Sequence, residues 1–69
     1  MKVGDKIIAR RSGRIAKVLA IDFIANADNE HYAKIEITEL PRDYVGVVKV
    51  GQVLNATYEV LVAHWLVVR

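Results

Sequence analysis

The sequence contains no cysteine, a single proline and a single serine in 69 residues. Without cysteine, the chain cannot form a disulfide, a thiolate metal site or a catalytic thiol, and it suits a reducing compartment. Its one serine, Ser12, belongs to no Ser/His/Asp pattern, so nucleophilic catalysis has no candidate residue set. Gly46 and Gly51 come nearest to a glycine-rich element, but they match no phosphate-binding loop.

Long apolar runs are also absent. Charged residues interrupt the opening stretch MKVGDKIIARRSG before it contains the about 7–15 consecutive apolar residues of a signal peptide. The longest apolar segment, at 60–68, has about half of the roughly 18 residues that a membrane span requires. We therefore expect a cytoplasmic protein that does not enter a membrane.

The sequence offers few groups for metal or acid–base chemistry. Its two histidines, His31 and His64, are separated by a spacing that matches no zinc site. On a strand, Glu36 and Glu39 differ in parity, so we expect them on opposite faces, where they cannot act as a general acid–base pair. These features predict a non-enzymatic protein with no metal site and no cofactor.

The length predicts one domain over 1–69, near the lower limit for a self-sufficient core. Below about 70–80 residues, a core rarely contributes more than about 3–5 kcal/mol without a disulfide, a metal or self-association. Hydrophobic residues make up 54% of the chain, which is high for a domain with so much surface. Part of this apolar area is expected to face another copy, which predicts a homo-oligomer.

Valine and isoleucine account for 18 of the 69 residues, and their β-branched side chains favour strands. No segment keeps a helical period for the length of a typical helix, so the sequence predicts an all-β fold. The predicted strands are 6–10, 14–24, 31–39, 57–62 and 66–68, and an ambiguous sixth strand is predicted at 46–50. A 3₁₀ turn is predicted at 63–65. Five or six short antiparallel strands in so short a chain predict a small, strongly bent barrel.

The first third of the chain resembles the KOW-type hairpin that opens many SH3-like barrels. The resemblance covers residues 3–22, with the Gly4-Asp5 pair, the strand KIIAR, a turn glycine at Gly13 and the later aliphatics Val18 and Ile21. The second glycine of the family pattern is replaced by Ala16. The resemblance implies an SH3-like small barrel and contacts with nucleic acid or transcription complexes.

Two other groups of small barrels look similar. Barrels of the CarD type open with a comparable Gly-Asp strand, and type II dihydrofolate reductases have a KKSG-like turn where this chain reads RRSG at 10–13. The reductase also opens a middle strand with a Tyr-Ala pair like Tyr32-Ala33, but its substrate-binding Val-Gln-Ile-Tyr run is missing here. This resemblance implies an oligomeric small barrel without the enzymatic activity.

Positive charge is concentrated in the first hairpin, because residues 1–20 carry a net charge of +5 and residues 21–69 a net charge of −3. Such an asymmetry attracts phosphate to one end of the molecule. A nucleic-acid-binding role would use five cations as phosphate contacts, with Tyr32 stacking on a base beside Lys34 and with Tyr44 as a second aromatic candidate. The five cations are Lys6, Arg10, Arg11, Arg14 and Lys17.

Two alternatives remain open at this stage. The cations either bind nucleic acid or an acidic protein surface, or they only keep a hairpin tip solvated and discourage aggregation. Likewise, the valine-rich segment 44–54 forms either a subunit interface or the last wall of the barrel. The sequence thus favours a nucleic-acid-binding module. The alternative is a homo-oligomeric interaction subunit that uses 44–54 and the C-terminal strand.

Overall fold

The computed structural model describes residues 1–24 and 31–68. Within these ranges the chain forms five antiparallel strands in one sheet and one short helix. The elements in chain order are β1 (Lys6–Ala9), β2 (Ile15–Ile24), β3 (His31–Glu39), β4 (Val53–Thr57), α1 (Tyr58–His64) and β5 (Trp65–Val67). The predicted all-β class is confirmed in a mostly β fold, with five antiparallel strands where five or six were predicted.

The strands lie in the order β4-β3-β2-β1-β5, which is compatible with a small barrel-like fold. β4 and β5 are the two edges, and no pairing in the described ranges joins them, so the sheet is not closed into the predicted barrel. The seven residues of α1 connect these two edges and pack against β3, β4 and β5.

One face of the sheet forms the core. Alternating residues of β1 and β3 are buried, which is the pattern expected of a sheet with one dry and one wet face. α1 covers this dry face with Leu61, and β5 adds Trp65. The buried residues are Ile7, Ala9, Ala16, Val18, Ala33, Ile35, Ile37, Leu61 and Trp65.

Pairing between β2 and β3 is irregular at three places, one of which lies between Ile15 and Ala16. Ile15 pairs with Glu39 whereas Ala16 pairs with Ile37, so β3 contains one extra residue there. An extra residue of this kind bends a strand and breaks the alternation of its side chains.

The strand predicted at 57–62 is wrong, because this segment is the helix α1. Thr57 caps the helix by accepting a hydrogen bond at its Oγ1 from the Val60 N–H at 3.3 Å. Leu61 is fully buried, while the β-branched Val60 and Val62 lie on the exposed side. Capping and the burial of one leucine thus override the strand propensity of the valines.

Three further assignments around this helix differ from the sequence-based prediction. Residues 46–50 form no strand, and the strand that precedes α1 is β4 at Val53–Thr57. The predicted 3₁₀ turn at 63–65 consists of the end of α1 and the first residue of β5, which spans Trp65–Val67 and not 66–68.

Within the described part of the chain, no helix has the length and apolar character needed to cross a membrane.

Candidate nucleic-acid interface

The turn between β1 and β2 is shaped by Gly13. This glycine has φ +73°, a left-handed conformation that side chains with a Cβ rarely adopt. The Gly13 N–H donates to the Ala9 carbonyl at 3.1 Å, and the Ala9 N–H donates to the Arg14 carbonyl at 2.8 Å. A Cβ at Gly13 would lie 3.3 Å from the Cγ of Pro41, so the β3–β4 loop packs closely against the turn. The predicted RSG turn is therefore present.

The turn brings Arg10, Arg11 and Arg14 to one end of the molecule, and we call these three residues the arginine tip. Arg10 and Arg11 are exposed, and Arg14 is half-buried. None of the three forms an ion pair within the described part of the chain. Their charges are therefore available to an anionic partner.

Arg14 is held in one orientation by its neighbours. Its Nε donates to the Ser12 Oγ at 2.8 Å, and its guanidinium carbon lies 5.7 Å from the centroid of the Trp65 ring. A cation at this distance from an indole face is stabilised by the ring quadrupole. Arg14 is thus a preoriented group, whereas Arg10 and Arg11 extend into solvent.

A cleft of about 170 Å³ opens between the β1–β2 turn and the end of α1. The Arg10 N–H donates to the His64 carbonyl at 2.9 Å and joins the helix end to the tip. The cleft is lined by Ala9, Arg11, Ser12, Arg14, His64 and Trp65. Sequence analysis did not associate Ser12, His64 and Trp65 with the arginines, because only the pairing of β5 with β1 brings residues 64 and 65 to the turn.

Lys6 and Lys17 lie apart from the arginine tip, on the outer face of the sheet. They pair with each other across β1 and β2, and Lys17 also pairs with Glu36 of β3. Lys6 Nζ lies 3.6 Å from Glu39 Oε2, with the two side chains 55% and 60% exposed. Such an exposed pair contributes little to stability, but it balances the charge of this part of the face.

The irregular pairing at Ile15 also corrects the expected placement of two carboxylates. Glu36 is opposite Lys17, and Glu39 reaches Lys6, the neighbour of Lys17. Both carboxylates therefore lie on the outer face, and the expectation of opposite faces is wrong because the extra residue of β3 changes the parity. In the ranges 1–24 and 31–68, no three His, Asp or Glu residues are grouped as metal ligands would be.

Tyr32 and Lys34 are half-buried residues on the outer face of β3, but they are distant from the arginine tip. Tyr32 pairs with Phe23 and Thr57, at the end of β3 opposite to Glu39. Tyr32 and Glu39 are seven positions apart along the strand, which corresponds to roughly 23 Å. The structure therefore does not bring Tyr32 and Lys34 together with the arginines.

The segment 44–52 is an ordered loop that projects valines into solvent. The Tyr44 hydroxyl accepts a hydrogen bond from the Val48 N–H at 3.4 Å, and a Cβ at Gly46 would collide with that hydroxyl. Val48 packs against the core, whereas Val45 and Val47 are 95% and 89% exposed. Tyr44 is therefore engaged in shaping the loop. Of the segment 44–54, residues 44–50 form no strand, whereas Gly51 and Gln52 exchange backbone hydrogen bonds with Ile37 and residues 53–54 belong to the edge strand β4.

Comparisons of this chain with protein-family models, with characterised proteins and with solved structures found no match. The candidate site therefore depends on its own geometry. Three arginines without a carboxylate partner lie at one end of the sheet beside a small cleft, whereas Lys6 and Lys17 on the outer face have Glu39 and Glu36 as neighbours.

Proposed function

We propose that this protein is a non-enzymatic binding module of the cytoplasm that contacts nucleic acid through the arginine tip. One observation carries the proposal: three arginines share one turn, and none has a carboxylate partner in the described ranges. Arginine side chains bind phosphate oxygens through paired N–H donors, and each contact releases counterions from the nucleic acid. The resemblance of residues 3–22 to KOW-type hairpins supports the same function.

The other predicted contact residues have secondary roles in this proposal. Lys6 and Lys17 lie on the outer face of the sheet, where a phosphate competes with Glu36 and Glu39 for the lysines. Tyr32 and Lys34 contact only a nucleic acid long enough to cross the outer face of the sheet. The tip is therefore the part of the interface on which affinity depends.

Replacement of both exposed tip residues, in the variant Arg10→Ala/Arg11→Ala, is expected to weaken binding to short DNA or RNA by about a hundredfold or more. The reason is the loss of two charge-assisted phosphate contacts, each of which contributes about 1.5–3 kcal/mol when well formed. Fluorescence anisotropy with labelled oligonucleotides at low salt measures the change. Because both side chains are exposed, the variant is expected to keep the stability of the unmodified protein.

The matched control is Lys2→Ala/Lys49→Ala, which has the same net charge as the tip variant. Both lysines are exposed, and in the described part of the chain they make hydrogen bonds, to Asp5 and Gln52, only through their backbone groups. This control should bind within about twofold of the unmodified protein, because surface charges outside the interface act only through a screened field. Equal losses in the two variants, or no binding at low salt, would refute the proposal. Binding of polyglutamate as tight as that of DNA and RNA would assign the tip to an acidic protein surface.

A second candidate function is that of a homo-oligomeric interaction subunit. The observation that favours it is the ordered loop 44–52, which exposes Val45 and Val47 almost completely. The C-terminal edge adds partly exposed apolar residues, Leu66 and Val68. Apolar side chains grouped on a surface are typical of protein–protein contacts, and a core of this size gains stability from self-association. We propose that this loop and the β5 edge contact a second copy of the chain.

The variant Val47→Asp is expected to convert the oligomer to monomer, because a carboxylate buried in an apolar interface without a partner is strongly unfavourable. Sedimentation velocity over a range of protein concentrations measures the change. Val3→Asp is the control, since Val3 is an exposed valine outside the loop and outside β5. A monomer at high concentration in the unmodified protein, or dissociation by both variants alike, would contradict the proposal.

A further inference from the structure

The cleft beside the arginine tip has the size of a small ligand group. Its volume is about 170 Å³, whereas pockets that enclose drug-sized molecules are about 300–1,000 Å³. The cleft can therefore hold one functional group of a larger partner, with the remainder of that partner outside.

The free hydrogen-bonding groups of the cleft are mostly donors. Arg14 has five N–H donors, of which the Nε–H is paired with Ser12, and the four on its Nη atoms have no partner in the described part of the chain. Ser12 Oγ accepts from Arg14 Nε at 2.8 Å and from the Arg14 N–H at 3.4 Å. Both acceptor positions of the serine hydroxyl are thus occupied, and its own proton remains to be donated.

Two backbone acceptors at the cleft are already paired. The Ala9 carbonyl accepts from the Gly13 N–H, and the His64 carbonyl accepts from the Arg10 N–H. A ligand in the cleft therefore meets guanidinium and hydroxyl donors, with the charge of Arg11 added from the wall. Groups of this kind select an oxyanion with several free oxygens.

The orientation of Arg14 lowers the entropic cost of binding such an anion. Ser12 and Trp65 hold its guanidinium in one position before the ligand arrives. A preoriented arginine loses less side-chain freedom on binding than an extended one, so more of the hydrogen-bond energy becomes affinity.

We propose that the cleft binds a terminal phosphate monoester of a nucleic acid, with Arg14 contacting two phosphate oxygens and Ser12 donating to a third. A terminal phosphate has three oxygens outside its single ester link and enters the cleft end-on. An internal phosphodiester continues in two directions, which suits an open groove and not a cleft of this size. This inference rests on the proposed function of the arginine tip, because Arg10 and Arg11 attract the polyanion whose end the cleft holds.

The test compares two labelled oligonucleotides of the same sequence, one with a phosphate monoester at one end and one with hydroxyls at both ends. Fluorescence anisotropy at fixed salt should show that the phosphorylated oligonucleotide binds at least about tenfold more tightly, since a single one of the three proposed charge-assisted hydrogen bonds has about this effect. Ser12→Ala should remove this preference while affinity for the hydroxyl-ended oligonucleotide stays within about twofold. Arg14→Lys should also remove the preference, but it should weaken binding of the hydroxyl-ended oligonucleotide as well, because Arg14 belongs to the arginine tip. Arg10→Lys is the matched control, because Arg10 does not line the cleft and the preference should persist.

The outcomes separate this inference from the proposed function. Equal affinity for the two oligonucleotides overturns the cleft assignment and leaves nucleic-acid binding by the tip intact. If neither oligonucleotide binds, the proposed nucleic-acid binding is wrong, and so is the assignment of the cleft to the terminal phosphate of a nucleic acid. Should Arg14→Lys fail to fold, Ser12→Ala alone decides, because it removes only a hydroxyl.

If neither oligonucleotide binds, the cleft is tested directly with phenyl phosphate. Trp65 is the only tryptophan in the chain and lines the cleft, so its fluorescence reports occupancy without a label. A change that Ser12→Ala abolishes assigns the cleft to a phosphate monoester of another source, such as a phosphorylated peptide. No change overturns the phosphate site altogether.

Discussion

The variant Ile35→Ala is expected to lower the free energy of unfolding by about 2–5 kcal/mol, because truncation of a core isoleucine removes buried methylenes and leaves a cavity. Ile35 is 2% exposed, lies in the middle of β3 and pairs with Val18 and Leu54. A core of this size contributes about 3–5 kcal/mol in total. The variant should therefore lose a large part of its stability, seen as a much lower midpoint of urea denaturation followed by circular dichroism.

The control for this prediction is Val45→Ala, which removes similar atoms from a side chain that is 95% exposed. Its effect should stay within about 0.5 kcal/mol, as is usual for surface positions. The two variants must be compared at one protein concentration, because self-association makes apparent stability depend on concentration. A cooperative transition of Ile35→Ala at the midpoint of the unmodified protein would contradict the assignment of the buried face.

The second large effect expected is the salt dependence of nucleic-acid binding. With three phosphate contacts from Arg10, Arg11 and Arg14, the logarithm of the association constant should fall with the logarithm of salt with a slope of about −2.7 on duplex DNA. The corresponding slope on single strands is about −2.1. A fourfold rise in salt thus weakens binding roughly 40-fold on duplex and roughly 20-fold on single-stranded DNA.

The tip variant provides the internal check on this slope. Arg10→Ala/Arg11→Ala leaves one contact, so its slope on duplex DNA should be about −0.9. Lys2→Ala/Lys49→Ala should keep the slope of the unmodified protein, because neither lysine lies in the tip. Slopes that do not differ between these two variants would show that the measured binding does not use the tip.

The elements that were predicted well have a local cause. β3 was predicted with its observed bounds, His31–Glu39, because its alternation of apolar and polar residues is a property of consecutive side chains. β2 was predicted one residue too long at its start, and the turn at Gly13 followed from the need for a left-handed residue. In each case the deciding residues are neighbours in the chain.

The elements that were predicted wrongly depend on distant residues. Residues 58–64 contain β-branched valines that favour a strand, but Thr57 caps a helix there and Leu61 anchors it to the sheet core. The face of Glu39 depends on an extra residue whose position is defined only by pairing with β2. Strand propensity and residue parity contain no information about either contact.

The sequence by itself determined an all-β domain, a glycine turn and the concentration of cations in the first 20 residues, because each follows from composition or from adjacent residues. Only the tertiary structure decided which cations lie together. Strand pairing places Lys6 and Lys17 beside Glu36 and Glu39, and it brings His64 and Trp65 to the arginine turn. The physical reason is that a sheet brings together residues from opposite ends of the chain, and local sequence patterns do not specify those distances.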